Sequence, residues 1–445
     1  MELPSPEELR VPVLGPAEYP SPVESRGLPF VEESDRVLIP VSLEQLSACA
    51  PDRVPSFERA GPRRRIYFNP ESLTCGIVTC GGLCPGLNDV IRSIVMTLYF
   101  VYGVKRIVGF RYGYAGLSAS APEPPLLLNP QNVERIHELG GTILGSSRGP
   151  QNVREMVDTL VGWNVGILFA IGGDGTMRGA HALVEEIARR NLKIAVIGVP
   201  KTIDNDLLWI ERSFGFLTAV EAARPAIAAA HAEATGVRNG IGLVKLMGRE
   251  SGFIAVAATL SNPDVNFCLI PEVPFTLRGE GGFLQVLEER LRRRGHAVIV
   301  VAEGAGQDLI QGSEPPQRDA SGNVRLRDIG LFLKEQIERY FAEIQLPVNV
   351  KYIDPSYAIR SLPANSNDSA YCLILGQNAV HAGMAGRTDM LVGYWNRCFT
   401  HVPIPLAVRA RKQVDPAGEE WKYVLLTTGQ PARMVGRLDR QRPVT

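Results

Sequence analysis

The sequence predicts an α/β protein of the doubly wound type, on three observations. Short apolar runs ending in glycine recur along the chain, helix-length segments separate them, and four polar, glycine-rich segments fall directly after such runs. At about 150 residues per domain, 445 residues allow two or three domains and exclude one small module.

In chain order, residues 1 to about 70 come first. Seven of the first thirty residues are proline, which disfavours regular structure, so an extended arm is expected there, ending in Arg63-Arg64-Arg65 and packing on a neighbour. TCGIVTCGG, from Thr74, then reads as a short buried strand closed by glycines, and LNDVIRSIVMTLYFVYG as a helix-length segment. Val153, Met156, Val157, Leu160 and Val161 keep the spacing of an amphipathic helix. VGILFAIGG is a buried parallel strand, HALVEEIARRN a helix and IAVIGVP another strand. IGLVKLMG, FCLIPE and AVIVVAEG continue the alternation as strands of a second lobe, separated by stretches rich in Ala, Leu and Glu. Residues 304–323 read as a loop by composition. The cluster Arg290 to Arg294 follows Glu288 and Glu289, which favours a solvated helix face over a nucleic-acid contact.

Composition narrows the function. Apolar residues at 45% and charged residues at 21% exclude wholesale disorder. Lys plus Arg and Asp plus Glu are both 47, so the net charge is zero and neither nucleic acid nor an anionic membrane is an expected partner. An anionic ligand must then be gripped by a local cluster. Seven cysteines without a CxxC pair read as reduced thiols of a cytoplasmic protein. Cys80 and Cys84 lack a second pair at zinc-ligand spacing. The longest apolar run, Ser93 to Val104, is far shorter than the ~20 residues of a membrane helix. The acidic, proline-rich N-terminus has the character of neither a signal nor a transit peptide.

The four segments after strands carry the chemistry, because open α/β sheets bind ligands at the carboxyl ends of their strands. Gly81 to Gly86 precedes a helix, and its bare N–H groups suit a phosphate, although glycines in a tight turn are as often purely structural. Gly172-Gly173-Asp174-Gly175-Thr176 offers a carboxylate of the kind a Mg²⁺ bridging phosphates takes as an oxygen ligand. In Pro200-Lys201-Thr202-Ile203-Asp204-Asn205-Asp206 two carboxylates stand two residues apart beside a lysine. A capped turn is the plain alternative; the sharper reading is that one carboxylate takes a proton from a hydroxyl nucleophile while Lys201 steadies the transferring phosphoryl group. Met247 to Gly252 places Arg249 at a helix start, where it can meet a phosphate or a hydroxyl-rich substrate. Glu272 after Pro271, and the set Lys351, Tyr357 and Arg360, complete one nucleotide-type and one sugar-phosphate-type site.

The ordered series GGLCPGLN, GGTILGSSRGP, GGDGT, PKTIDND, KLMGRESG, PE and YIDPSYAIRSLPANSND, from about Cys75 to Asn396, resembles the 6-phosphofructokinases. GGDGT alone is shared with NAD kinases and diacylglycerol kinases; PKTIDND followed by MGRESG is highly specific. The resemblance implies two doubly wound α/β lobes with the active site in the crevice between them, plus an N-terminal extension at 1–70. Residues 71–208 with about 359–405 would form the nucleotide-binding lobe, and 209–358 with about 406–445 the sugar-phosphate-binding lobe.

It further implies that ATP phosphates lie on Gly82, Arg148 and the turn of Gly173, Asp174, Gly175 and Thr176, with Asp174 holding Mg²⁺. Asp204 would deprotonate the 1-hydroxyl of fructose 6-phosphate, supported by Lys201, Thr202, Ile203 and Asp206. Met247, Gly248, Arg249, Glu272, Lys351, Tyr357 and Arg360 would hold the sugar phosphate, Lys351 sometimes across the interface of a homo-oligomer, a dimer or a tetramer. Gly175 together with Lys201 is similar to the long ATP-dependent branch; pyrophosphate-dependent members carry Asp at the position of Gly175, and pyrophosphate is the alternative donor. Where short bacterial members have an arginine this chain has Gly240, so their allosteric behaviour is not carried over. A silent sugar-phosphate or nucleotide sensor on the same fold would predict broken motifs, yet Asp174, Asp204, Asp206 and Arg249 are present. A dinucleotide oxidoreductase would need GxGxxG, which GGLCPG does not match.

Overall fold

Apolar runs too short for helices become parallel strands, and the computed structural model describes them within residues 3–50, 53–121, 123–310 and 324–436. In chain order the first elements are β1 (Tyr19–Pro20), β2 (Arg36–Leu38), α1 (Leu43–Ser47), β3 (Ser56–Arg59), β4 (Arg65–Ile66) and β5 (Thr74–Thr79). There follow α2 (Leu87–Met96), β6 (Arg106–Phe110), β7 (Leu126–Leu128), α3 (Val153–Gly162), β8 (Val165–Gly172), α4 (Asp174–Arg189) and β9 (Ala195–Pro200). Next come α5 (Phe216–Thr235), β10 (Gly240–Leu246), α6 (Phe253–Leu260), β11 (Phe267–Leu269), α7 (Phe283–Arg294) and β12 (His296–Ala302). The chain closes with α8 (Ile329–Glu343), β13 (Asn349–Ile353), α9 (Ser356–Arg360), α10 (Ser366–Met384), β14 (Met390–Trp395), β15 (Cys398–Pro403), α11 (Ile404–Ala407) and α12 (Glu419–Thr428). Two compact units divide it: Met1–Gly215 with Ser361–Arg411, and Phe216–Arg360 with Lys412–Thr445.

The first unit is built on a nine-stranded sheet of order β2-β3-β15-β14-β9-β8-β5-β6-β7. Its central strands are parallel, and β5 and β9 are buried along their whole length. A strand covered on both faces has no polar side to show, so β8 reads VGILFAIG without alternation of polarity. The alternation survives in where the side chains go. Ile167, Phe169 and Ile171 enter one core, with residues of α2 and α10; Leu168 and Ala170 enter the other, with residues of α3 and α4.

The N-terminal residues depart from the expected extended arm. β2 and β3 pair with each other, and β3 pairs with β15, so the arm extends the sheet. Leu9, Val11, Ile39 and Phe57 are buried in the same two cores. No proline lies inside β2 or β3, and proline outside a strand takes nothing from its ladder. Buried polar contacts fix the join: Glu58 Oε2 lies 3.1 Å from His401 Nδ1 and 3.4 Å from Arg387 Nε.

The second unit carries a four-stranded parallel sheet of order β11-β12-β10-β13. Residues of α7 and α8 pack on one face around Ile241, Leu243, Ile299 and Val301. On β10, Gly240 and Gly242 let α5 approach closely: a Cβ there would stand 2.2 Å from the Ala234 carbonyl oxygen and 2.5 Å from that of Ala230. An arginine at position 240 has no room, which accounts for the glycine found there. The expected loop at 304–323 holds a short turn, Gln307–Leu309; its residues 311–323 lie outside the described residues. On α7 the basic cluster is a helix face, with Arg292 paired to Glu288 at 2.7 Å.

Candidate active site

In the first unit three loops leave neighbouring strands at the same end of the sheet. The Thr79↔Ile171 and Gly172↔Pro200 registers set β5, β8 and β9 side by side, and main-chain bonds continue past them, from Cys80 N–H to Ile171 O and from Lys201 N–H to Gly172 O, each 2.9 Å. After β5 the chain turns through Gly81 (φ 87°) and Gly86 (φ 100°), the latter capping α2. A Cβ at Gly86 would stand 2.7 Å from Cys372 Sγ, so this glycine is required by space as well as by φ. Gly81 N–H donates to Ser147 O at 3.0 Å, which brings the strand of chain carrying Arg148 to the same turn.

Gly173 caps α4, leaving the first N–H groups of a sixteen-residue helix without a side-chain acceptor. Asp174 stands in that first turn, with Arg178 Nε 3.1 Å from its Oδ2. Gly175 faces open space: a Cβ built there meets nothing within 4 Å. Thr176 is buried and its carbonyl accepts the Tyr114 hydroxyl at 2.7 Å.

Lys201 links the loops. Its side chain is buried, and Nζ donates to Gly82 O at 2.7 Å, next to the turn it holds. Burial lowers its pKa, Arg148 lowers it further, and Asp204 works in the opposite direction. Beyond it the loop is pinned repeatedly. Asn205, in the left-handed region (φ 55°), donates to Glu211 O at 3.0 Å and accepts from Ser213 N–H at 3.0 Å. The Thr202 hydroxyl donates to Asp206 Oδ1, and Arg411 Nη1 lies 2.9 Å from Asp206 Oδ2. Burial pushes the Cys80 and Cys84 thiols up to about 12 each, so both stay protonated beside the glycine turn.

In the second unit, β10 runs into Met247, buried, and Gly248 (φ 127°), then Arg249 and Gly252 at the head of α6. Gly304 N–H donates to Gly248 O at 2.9 Å, which ties this turn to the end of β12. Glu272 is fixed by one oxygen only: Oε1 accepts the Gly252 and Val414 N–H groups, each at 2.8 Å, while buried Oε2 makes no hydrogen bond among the described residues. Burial raises its pKa against the pull of those two donors. On α9 the Arg360 guanidinium sits 4.9 Å over the exposed Tyr357 ring, and buried Arg360 Nε makes no hydrogen bond among the described residues.

Each unit thus gathers its own share of the expected residues. Gly82, Arg148, Gly173 to Thr176, Lys201 to Asp204 and Asp206 come together in the first; Met247 to Arg249, Glu272, Tyr357 and Arg360 belong to the second. Lys351 stands on the edge strand β13, its side chain 46% exposed and 3.9 Å from Glu233. Sequence reasoning missed Glu303, at the end of β12, where Arg249, Arg360 and Lys245 lower its pKa against the larger, opposite effect of burial. The strand-end rule that found Glu272 would have found it too. It also missed Arg411, 205 residues from its partner, for which no local signal exists.

No group of three or more His, Cys, Asp or Glu among the described residues is arranged to hold a metal ion. A lone carboxylate at a helix N-terminus fits an ion that arrives with phosphates and keeps most of its water, as Mg²⁺ does.

Residues 74–383 match the protein family described as Phosphofructokinase. A relative from Borreliella burgdorferi named ATP-dependent 6-phosphofructokinase is 54% identical over 383 residues, covering 85% of this chain and 86% of its own. One of the same name from Amycolatopsis methanolica is 52% identical over 449 residues, covering 98% of both chains. Among solved structures, the pyrophosphate-dependent phosphofructokinase from Marinobacter aquaeolei matches with a TM-score of 0.65 at 18% identity, over 82% of this chain and 92% of that one, a likeness of fold.

Proposed function

The chain belongs to the phosphofructokinase family, and on that premise we infer that it is an ATP-dependent 6-phosphofructokinase, moving the γ-phosphoryl group of ATP to the 1-hydroxyl of fructose 6-phosphate. One observation supports the site assignment above the others: Lys201 joins three loops, by its N–H to Gly172 O, by Nζ to Gly82 O and by its own chain running into Asp204.

In the proposed mechanism the Gly82 N–H and the N–H groups of the α4 N-terminus receive the ATP phosphates, with Arg148 beside them. Asp174 is the protein ligand for Mg²⁺, which when bound neutralises charge on the phosphate oxygens. Lys201 keeps the turn in shape through Gly82 and adds a fixed positive charge beneath it. Asp204 accepts the proton of the 1-hydroxyl as that oxygen bonds to the γ-phosphorus and the bond to the β-phosphate oxygen breaks, leaving ADP. Asp206, with Thr202 and Arg411, supports Asp204 by holding the loop. Glu272 Oε2 accepts a sugar hydroxyl, and Arg249 and Arg360 take the 6-phosphate.

Gly175 supports ATP as donor: its open surroundings leave room for a nucleotide, where an aspartate would set a carboxylate against phosphate. We also propose a homo-oligomer in which Lys351, half-exposed on the edge strand β13, serves the sugar phosphate of a second copy. A cytoplasmic location fits the seven free cysteines.

The test is product identification. With fructose 6-phosphate, ATP and Mg²⁺, phosphorus NMR is expected to show a new ester at the 1-position and one ADP per ester formed. Inorganic phosphate released without a bisphosphate product would contradict the assignment.

A further inference from the structure

We propose that Arg411 is a positioning residue for the proton-accepting loop, acting on Asp204 through Asp206; this rests on the reading of Asp204 as the base. Arg411 lies outside residues 74–383, the part of the chain that matches the family.

Asp206 is a buried carboxylate with both oxygens engaged: Oδ1 accepts the Thr202 hydroxyl and Oδ2 lies 2.9 Å from Arg411 Nη1. The side chains are 10% and 26% exposed, so the pair is largely withdrawn from water. Arg411 is held by its main chain as well, since Leu207 and Arg411 form an antiparallel bridge next to the ion pair. The stretch from Thr202 to Leu207 is therefore fixed from both sides. Ser213 and Glu211 hold its near side, through the Ser213 hydroxyl on Thr202 O and through the two bonds of the Asn205 side chain. Arg411 holds the far side.

A buried carboxylate stripped of its cation keeps its desolvation cost and loses its partner, so it moves toward water. Asp204 sits two residues away on the same short loop and shares that movement. A general base works only within hydrogen-bond reach of the proton it takes, and a misplacement of about 1 Å lowers rate about 10²-fold while leaving binding elsewhere untouched.

The experiment uses the full chain with fructose 6-phosphate, ATP and Mg²⁺, and compares Arg411→Met and Arg411→Lys in the wild-type and Asp206→Asn backgrounds. Arg411→Met is expected to lower kcat about 10–100-fold with both KM values within about twofold of wild type, and Arg411→Lys to recover part of the loss. In the Asp206→Asn background, where no charge needs holding, adding Arg411→Met is expected to change kcat by less than about twofold. This arm also answers a folding defect in the single variant, because the double variant has no unpaired buried anion. The proposal is overturned by a wild-type kcat in Arg411→Met, by equal losses in the Met and Lys variants, or by a full additional loss in the Asp206→Asn background. A wild-type enzyme inactive with these substrates would overturn the functional reading and this proposal together; an active wild type with an unaffected Arg411→Met overturns this proposal alone.

Discussion

The rims of the two sheets are built differently. On the nine-stranded sheet most polar groups are already spent on one another, Lys201 on Gly82, Asp206 on Thr202 and Arg411, Asn205 on Glu211 and Ser213, while buried Asp204 Oδ1 makes no hydrogen bond among the described residues. On the four-stranded sheet Arg249 Nη1 donates to Val324 O, but more valences stay open: Glu272 Oε2 and Arg360 Nε make no hydrogen bond among the described residues, and the Tyr357 ring is 78% exposed. The difference fits the division of labour that the proposed function implies. Groups that stabilise a transition state gain from being fixed before the substrate arrives, because no reorganisation is then needed. Groups that recognise the substrate must offer unsatisfied donors and acceptors, and their return comes on binding.

That contrast is sharpest in kinetics. Asp204→Asn should leave both KM values near wild type and lower kcat by about 10²–10⁴; near wild-type turnover would remove Asp204 from the base role. Arg360→Met should do the reverse, raising KM for fructose 6-phosphate about 10–100-fold, the worth of hydrogen bonds to a charged group, with little change in KM for ATP. A fall in kcat alone would blur the distinction between the two rims. Gly175→Asp should raise KM for ATP about tenfold through one added like charge. Its thermal midpoint should not fall, since the position is open and an acid in the first turn of α4 suits the helix dipole. Unchanged ATP saturation would defeat the electrostatic account of the donor.

The smallest catalytic effect belongs to Glu58, far along the same sheet. Burial works to raise its pKa, but His401, Arg387 and Arg63 together bring it down to about 2. A carboxyl depressed in the folded state contributes stability that is present above its unfolded pKa of 4.5 and is lost as pH falls from there toward about 2. The amount is on the order of 3 kcal/mol. Acid unfolding followed between those limits should therefore be shallower in Glu58→Gln, with kcat at neutral pH unchanged. An identical acid profile would mean that the N-terminal strands owe nothing to this pair.

How much could be read from the sequence differs along the same lines. The strands β5, β8 and β9 were legible because burial on both faces leaves unbroken apolar runs, and the loops after them because open α/β sheets concentrate ligand groups at strand ends. Carboxylates beside a lysine at Lys201 to Asp206 named a chemistry before any contact was known. What stayed hidden depends on partners distant in sequence. β2 and β3 were masked by the prolines around them and are fixed by the pairing of β3 to β15 and of β2 to β3. Arg411 has nothing nearby in sequence to mark it, since its meaning lies in Asp206. The reason for Gly240 lies in α5, which leaves no room for a side chain there, a matter of space that no local pattern carries.

The most direct test of ATP as the donor to fructose 6-phosphate is the ratio of kcat/KM for ATP to that for pyrophosphate, measured on the wild-type chain at saturating fructose 6-phosphate and fixed Mg²⁺. The account predicts that ATP is the better donor, and a higher kcat/KM with pyrophosphate would contradict it.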